Sequence, residues 1–216
     1  MFAITADQID SRLGPDLGDV GLQLLAAAGG DRLALPPDRT AGDEVQALTA
    51  DPQTAVDLVL TLARTGAWSI GLGIGAIETP LPDTTRTATG GALVAARTAV
   101  DAAKRRPTRA AVASVQPLRP SATTVQAMLD LLLQLRERRS AEGWELYDLV
   151  ESSLTQADAA ARLDITPQAA SKRAIAAGLR HDHAARTALA ELLAIADTTA
   201  AGAPTDRTPT DEETTA

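Results

Sequence analysis

Two prolines, Pro117 and Pro120, sit within Gln116–Ser121 and divide the chain into parts that favour different structure. Proline offers no backbone donor and disfavours helix at the residue before it, so no element runs through this stretch. Ahead of it, short apolar runs alternate with helical periodicity. Phe2–Ala6 is expected as a strand and Leu17–Ala28 as a helix closed by Gly29-Gly30. Arg32–Leu35 is a second strand, Pro36-Pro37 and Ala41-Gly42-Asp43 mark a turn, and Glu44–Leu48 returns as a third. Pro52 starts a helix to Ala63, Trp68–Ile77 is a strand, Gly90-Gly91 precedes a helix to Lys104, and Arg109–Val115 is the last strand. The order is β-α-β-β-α-β-α-β. Beyond Pro120 the periodicity is helical throughout. An amphipathic helix over Ser121–Ser140 carries Val125, Met128, Leu129, Leu132 and Leu135, with Arg136, Glu137, Arg138 and Arg139 as its charged face. A helix around Trp144–Val150, two more between Leu154 and Leu179, and one over Ala184–Ala196 follow. The fold class is therefore α+β, with an α/β domain over 1–118, an all-α domain over 119–196 and a Thr-, Pro- and acid-rich disordered tail over 197–216.

Composition narrows the chemistry. A 216-residue chain that is 45% hydrophobic holds ample material for a core, yet only Phe2, Trp68, Trp144 and Tyr147 are aromatic, which leaves few stacking platforms for bases. The absence of cysteine excludes disulfides and thiolate zinc sites, and His181 and His183 alone make no histidine-rich site. Any metal would be hard and carboxylate-bound. Asp7 interrupts the first apolar run too early for a signal peptide, and no run is long enough to span a membrane, so a soluble cytoplasmic protein is expected. The formal charge of −8 argues against nonspecific nucleic-acid binding by the whole surface. It divides into −3 through Leu118, −1 for Arg119–Ala196 and −4 for the tail.

The two helices between Leu154 and Leu179 are closely punctuated. Thr155 is placed to cap the first, with Asp158 three residues on completing an approximate capping box. Leu163 and Ile165 bracket the turn, where Asp164 tolerates a left-handed backbone better than most residues. Thr166-Pro167 then supplies a cap followed by proline at the first helical position. The run LTQADAAARLDITPQAASKRAIAAGL resembles the helix-turn-helix of bacterial regulators and sigma-factor-like domains. That resemblance implies DNA contacts from Thr166, Gln168, Ser171, Lys172 and Arg173 at the start of the second helix. A helical hairpin used only for packing or protein contact is the competing reading.

Acids converge on the other part of the chain. Asp7 ends the first strand and Asp43 sits at a hairpin that can pair beside it, so the two carboxylates can converge on one edge, a workable magnesium site because that ion is commonly held by one or two carboxylates with water and substrate phosphates. Solvated, turn-forming acids are the alternative. Asp7-Gln8-Ile9-Asp10-Ser11-Arg12, Ala41-Gly42-Asp43-Glu44-Val45-Gln46, Ile70–Gly75 and Thr89–Arg97 resemble, in order, the successive blocks of SatD-family proteins. More distantly, the pattern is similar to the palm domain of GGDEF proteins and class III nucleotide cyclases. The resemblance implies a palm-like (ferredoxin-like) sheet with Asp7, Asp43 and Glu44 as ligands of Mg2+. It also implies Gln8, Ile9 and Gly42 around a nucleotide; Arg97 is a further candidate for a phosphate or an acidic partner, although a helical arginine more often makes a surface or interdomain ion pair. Ala41-Gly42 in place of a Gly-Gly pair and Val45 in place of the usual phenylalanine depart from a working cyclase. Gly71, Gly73 and Gly75 share one strand face and are expected to admit a close helix.

Together these readings imply a DNA-binding regulator whose palm-like domain senses a nucleotide or metal, with a homodimer through the helix over 121–140. A magnesium-dependent nucleotide-processing enzyme and a protein-interaction module are the alternatives.

Overall fold

The computed structural model describes residues 1–40 and 42–201. Five strands form one mixed sheet in the order β2-β3-β1-β4-β5: β1 Phe2–Gln8, β2 Leu33–Arg39, β3 Glu44–Thr49, β4 Trp68–Ile74 and β5 Ala110–Ser114. β1 lies in the middle and runs antiparallel to both β3 and β4, β2 is antiparallel to β3, and β5 is parallel to β4. α1 (Gly18–Gly29) leads from β1 to β2 and α2 (Pro52–Thr65) from β3 to β4, so each of these crossovers passes over one strand that belongs to the other. α3 (Gly91–Ala103) joins the neighbours β4 and β5.

The strands occupy the expected places with two differences. β2 continues through Pro36 and Pro37 to Arg39, where a turn was expected. It is an edge strand with irregular register against β3, so the missing proline donors interrupt no ladder on its outer side. β4 ends at Ile74 because the chain then turns away at Gly75.

The sheet is covered on both faces. Phe2, Ile4, Val45, Ile70 and Leu72 contribute to a core shared with Leu25 of α1 and Leu58 and Leu62 of α2, all fully or nearly fully buried. On the other face α3 lies against β4 with unusual closeness. A Cβ built on Gly73 would stand 2.0 Å from the carbonyl oxygen of Ala92, and one on Gly71 would stand 2.3 Å from that of Ala96. The alternating glycines thus let a helix backbone rest directly on the strand, as the spacing predicts.

Five helices follow: α4 Ala122–Glu137, α5 Ala141–Glu151, α6 Gln156–Arg162, α7 Pro167–Ala176 and α8 Leu179–Ala201. The single helix expected over 121–140 stops at Glu137, because Ser140 accepts from the Gly143 N–H and starts α5 at once. Its apolar stripe is spent within the chain: Val125, Leu129, Leu132 and Leu133 join the same core as Leu189, Leu193 and Ala196 of α8. A dimer through α4 would have to use the opposite face, where Leu131 is exposed. α8 begins earlier than expected and continues through 197–201, while the remainder of the expected tail, 202–216, lies outside the described residues. Among the described residues no helix is long and apolar enough to cross a membrane.

Candidate functional site

The end of β1 meets the start of β3, with Asp7 directly paired to Glu44 in the antiparallel register. Asp7 lines an open pocket of about 590 Å³ together with Gln8, Asp10, Ser11, Arg12, Leu13, Asp43 and Lys104. Asp7 and Asp43 therefore share one pocket. Lys104, at the end of α3, brings its ammonium to 3.0 Å from the Asp7 carboxylate. The hydrogen bond to Asp7 holds the Lys104 ammonium above its usual pKa range.

Glu44 behaves differently. It is buried, and its carboxylate accepts from the Thr40 hydroxyl at 2.6 Å and from the guanidinium of Arg97. Arg97 and Glu44, expected to serve a nucleotide and a metal respectively, bond each other. The three acids do not fit a resident Mg2+ in this arrangement: Asp7 is matched by Lys104, Glu44 by Arg97, and Asp43 alone has no such partner among the described residues. No cluster of three or more His, Asp or Glu side chains among the described residues is placed to hold one ion.

The expected phosphate cradle is also partly occupied by internal bonds. The Ile9 N–H donates to the Ala67 carbonyl at 2.8 Å. Gln8 is buried, with its amide donating to the Pro15 carbonyl and accepting from the Leu17 N–H, both at 2.8 Å. It pins the loop between β1 and α1. Gly42, at φ 65°, adopts the left-handed conformation of the hairpin and a Cβ there would meet nothing within 4 Å, so its surroundings stay open. Gly42 lines a smaller pocket of about 270 Å³ with Gln8, Ser11, Asp16, Arg39 and Asp43. There Arg39 bonds Asp16 at 2.6 Å, and the Gly18 N–H and Arg39 together hold the Asp16 carboxyl below its usual range.

The other candidate surface is built by α6 and α7. Thr155 accepts from the Asp158 N–H at 3.1 Å and donates its hydroxyl to the Asp158 carboxylate at 2.6 Å. Thr166 accepts from the Ala169 N–H at 3.1 Å, with Pro167 at the first turn. Asp164 takes φ 52° in the turn between them. Ala159, Ala160 and Ala170 are buried at the crossing, where small side chains let the two helices approach. The outer face of α7 carries Gln168, Ser171 and Lys172, all exposed, with Thr166 exposed at its start. Arg173 turns back instead, reaching Glu145 of α5 at 3.6 Å. Gln168, Ser171 and Lys172 thus share one exposed stripe of α7, Thr166 is exposed as its cap, and Arg173 fastens α7 to α5.

One constellation was not legible in the sequence. Arg136 and Arg139, expected on a charged outer face, are buried around Asp182, the first-turn acid of α8. Arg136 bonds Asp182 at 3.0 and 3.1 Å, and Arg139 bonds it at 2.8 Å. Three guanidinium groups approach the Trp144 ring, with Arg64 at 4.1 Å, Arg139 at 4.3 Å and Arg136 at 4.9 Å from its centre. Arg186 of α8 donates to Tyr147 and Glu151 of α5 and to Asp57 of α2, while Arg64 of α2 bonds both oxygens of Asp148. Glutamate and aspartate partners come from elements far apart in sequence, so no local spacing signals the cluster. Its effect is to seat α5, which carries α6 and α7, against α2 and α8. His181 and His183 are exposed on α8.

No family model, curated protein or solved structure matches this chain.

Proposed function

We propose that the chain is a DNA-binding regulator in which α6 and α7 form a helix-turn-helix and the sheet forms a palm-like, ferredoxin-like domain that senses a nucleotide. The observation that carries the reading is the open face of α7: Gln168, Ser171 and Lys172 project from a capped helix whose opposite side is closed by Ala170. A polar helix face with a cation that has no ion-pair partner among the described residues suits the major groove, where amide and hydroxyl groups read base edges and lysine meets phosphate. Because the whole chain is acidic, binding of this kind rests on local contacts or a second copy of the motif rather than on net charge. Arg173 acts in this reading by fixing α7 on α5, not by touching DNA.

Two features support the palm-like reading: the strand order β2-β3-β1-β4 with its interleaved crossovers, and the acidic hairpin beside the end of β1. Membership of the SatD family belongs to the same proposal and rests on the sequence blocks. Sensing is preferred to turnover because Lys104 and Arg97 already balance two of the three acids that a metal-dependent reaction would use.

The test is selection of sites from a random duplex pool, followed by gel shift across a salt series. Retention that weakens steeply with salt is the expected result. No retention at low salt would remove the DNA-binding claim. Calorimetry with nucleoside triphosphates, with and without Mg2+, tests the sensor; heat of binding that disappears in Asp43→Asn is expected.

A further inference from the structure

The face of α7 that carries Gln168, Ser171 and Lys172 also carries Ile175, a large apolar side chain left 77% exposed. Ile175 lies seven residues after Gln168, four after Ser171 and three after Lys172. At helical spacing these offsets set it on the same stripe, one turn beyond the polar pair. A single exposed isoleucine is ordinary on a protein surface. What singles this one out is its place: it continues a polar row that faces outward, on a helix whose inward side is made by Ala170 and Arg173.

From this geometry we infer that Ile175 is a specificity-determining residue that recognises the 5-methyl group of thymine in the major groove. The inference rests on the DNA-binding reading of α7 and deepens it. Duplex DNA is the occupant that the local charge balance favours: Arg162 at the end of α6, Lys172 on α7 and Arg180 at the start of α8 are exposed against the exposed acids Asp158, which is held by the Thr155 hydroxyl, and Asp164, while Arg173 is paired with Glu145. Thymine is the one base whose major-groove edge offers an apolar group, so a branched hydrocarbon side chain among hydrogen-bonding neighbours matches it and no other base. Gln168, Ser171 and Lys172 supply polar contacts on the same stripe, and Ile175 adds discrimination between thymine and the bases without a methyl.

The experiment uses the full chain and the duplex site selected from the random pool. Each thymine of that site is replaced in turn by deoxyuridine, which removes only the methyl. The expected result is that deoxyuridine at one or more positions weakens binding about fourfold, as the burial of one methyl predicts. Ile175→Ala is expected to bind thymine and deoxyuridine equally at such a position, and Ile175→Val to retain most of the difference. Because the side chain is exposed, circular dichroism and melting of Ile175→Ala are expected to match the parent. Selected binding without any methyl-dependent position, or methyl dependence that survives in Ile175→Ala, would overturn the inference while leaving DNA binding intact. If no duplex is selected at all, the DNA-binding reading fails and the inference falls with it.

Discussion

The Asp182 carboxylate accepts a hydrogen bond from Arg139 at 2.8 Å with both side chains sealed from solvent. Burial pushes the Arg139 guanidinium toward its neutral form, and the bond to Asp182 opposes that shift. One Arg139 nitrogen, Nη1, is buried with no partner among the described residues, so Asp182 is the main compensation for this charge. Asp182→Ala would strand two buried cations, and a loss of about 3–5 kcal/mol is expected in urea unfolding. Replacing Asp182, Arg136 and Arg139 together by leucine and two methionines is expected to cost much less, because no unpaired charge remains. A loss below about 1 kcal/mol for the single variant would show that water reaches the cluster.

The contact of α3 with β4 predicts a second outcome. A methyl at Gly73 meets the backbone of Ala92 and Ala96 at 2.0 and 2.4 Å, which cannot yield without moving the helix. Gly73→Ala is expected to destabilise by about 3 kcal/mol or more, at the upper end of overpacking penalties. Gly75→Ala, whose added atom would come no closer than 3.0 Å to its neighbours, is expected to lose distinctly less. Equal midpoints in denaturant for the two variants would contradict this account of the close approach.

Asp51 caps α2, accepting from the Thr54 N–H at 2.9 Å. Burial raises its pKa, but bonds from the Thr54 hydroxyl and N–H outweigh that and leave the carboxyl below its usual range. A depressed native pKa means that stability is fully present above the unfolded pKa and is lost as pH falls through the native one. Melting temperature is therefore expected to fall on acidification below about pH 4, the unfolded range for aspartate. Asp51→Asn should flatten part of that slope while keeping the cap. Asp51→Ala should lose about 1 kcal/mol at neutral pH. An unchanged acid slope in Asp51→Asn would assign it to other carboxylates.

For α7, Lys172→Ala is expected to weaken binding to all duplexes about equally and to reduce the salt slope by about one. Gln168→Ala should instead relax the preference at one base position. Fluorescence anisotropy across salt concentrations separates the two. If both variants bind every sequence as the parent does, the face of α7 is not the one that meets DNA.

Periodicity and punctuation are local properties, and they were enough to place the strands and most of the helices. Alternating apolar runs require a sheet, Thr155 and Thr166 cap the helices they precede, and Gly71 and Gly73 announce a close contact whatever lies opposite. Asp164 in a left-handed turn was legible for the same reason: its backbone preference is its own. The sites depended on distant partners. Arg97 reads as a phosphate contact or an ion-pair donor until β3 brings Glu44 beneath it, and Arg136 and Arg139 read as a solvated face until α8 delivers Asp182. Pro36 and Pro37 read as a turn until the sheet order makes β2 an edge. By itself the sequence determined which segments form helices and strands, because those choices rest on short-range sterics and the spacing of apolar residues. Only the tertiary structure decided which charges neutralise one another and which, such as Lys172, are exposed without an ion-pair partner among the described residues, because pairing is a matter of distance in space and not along the chain.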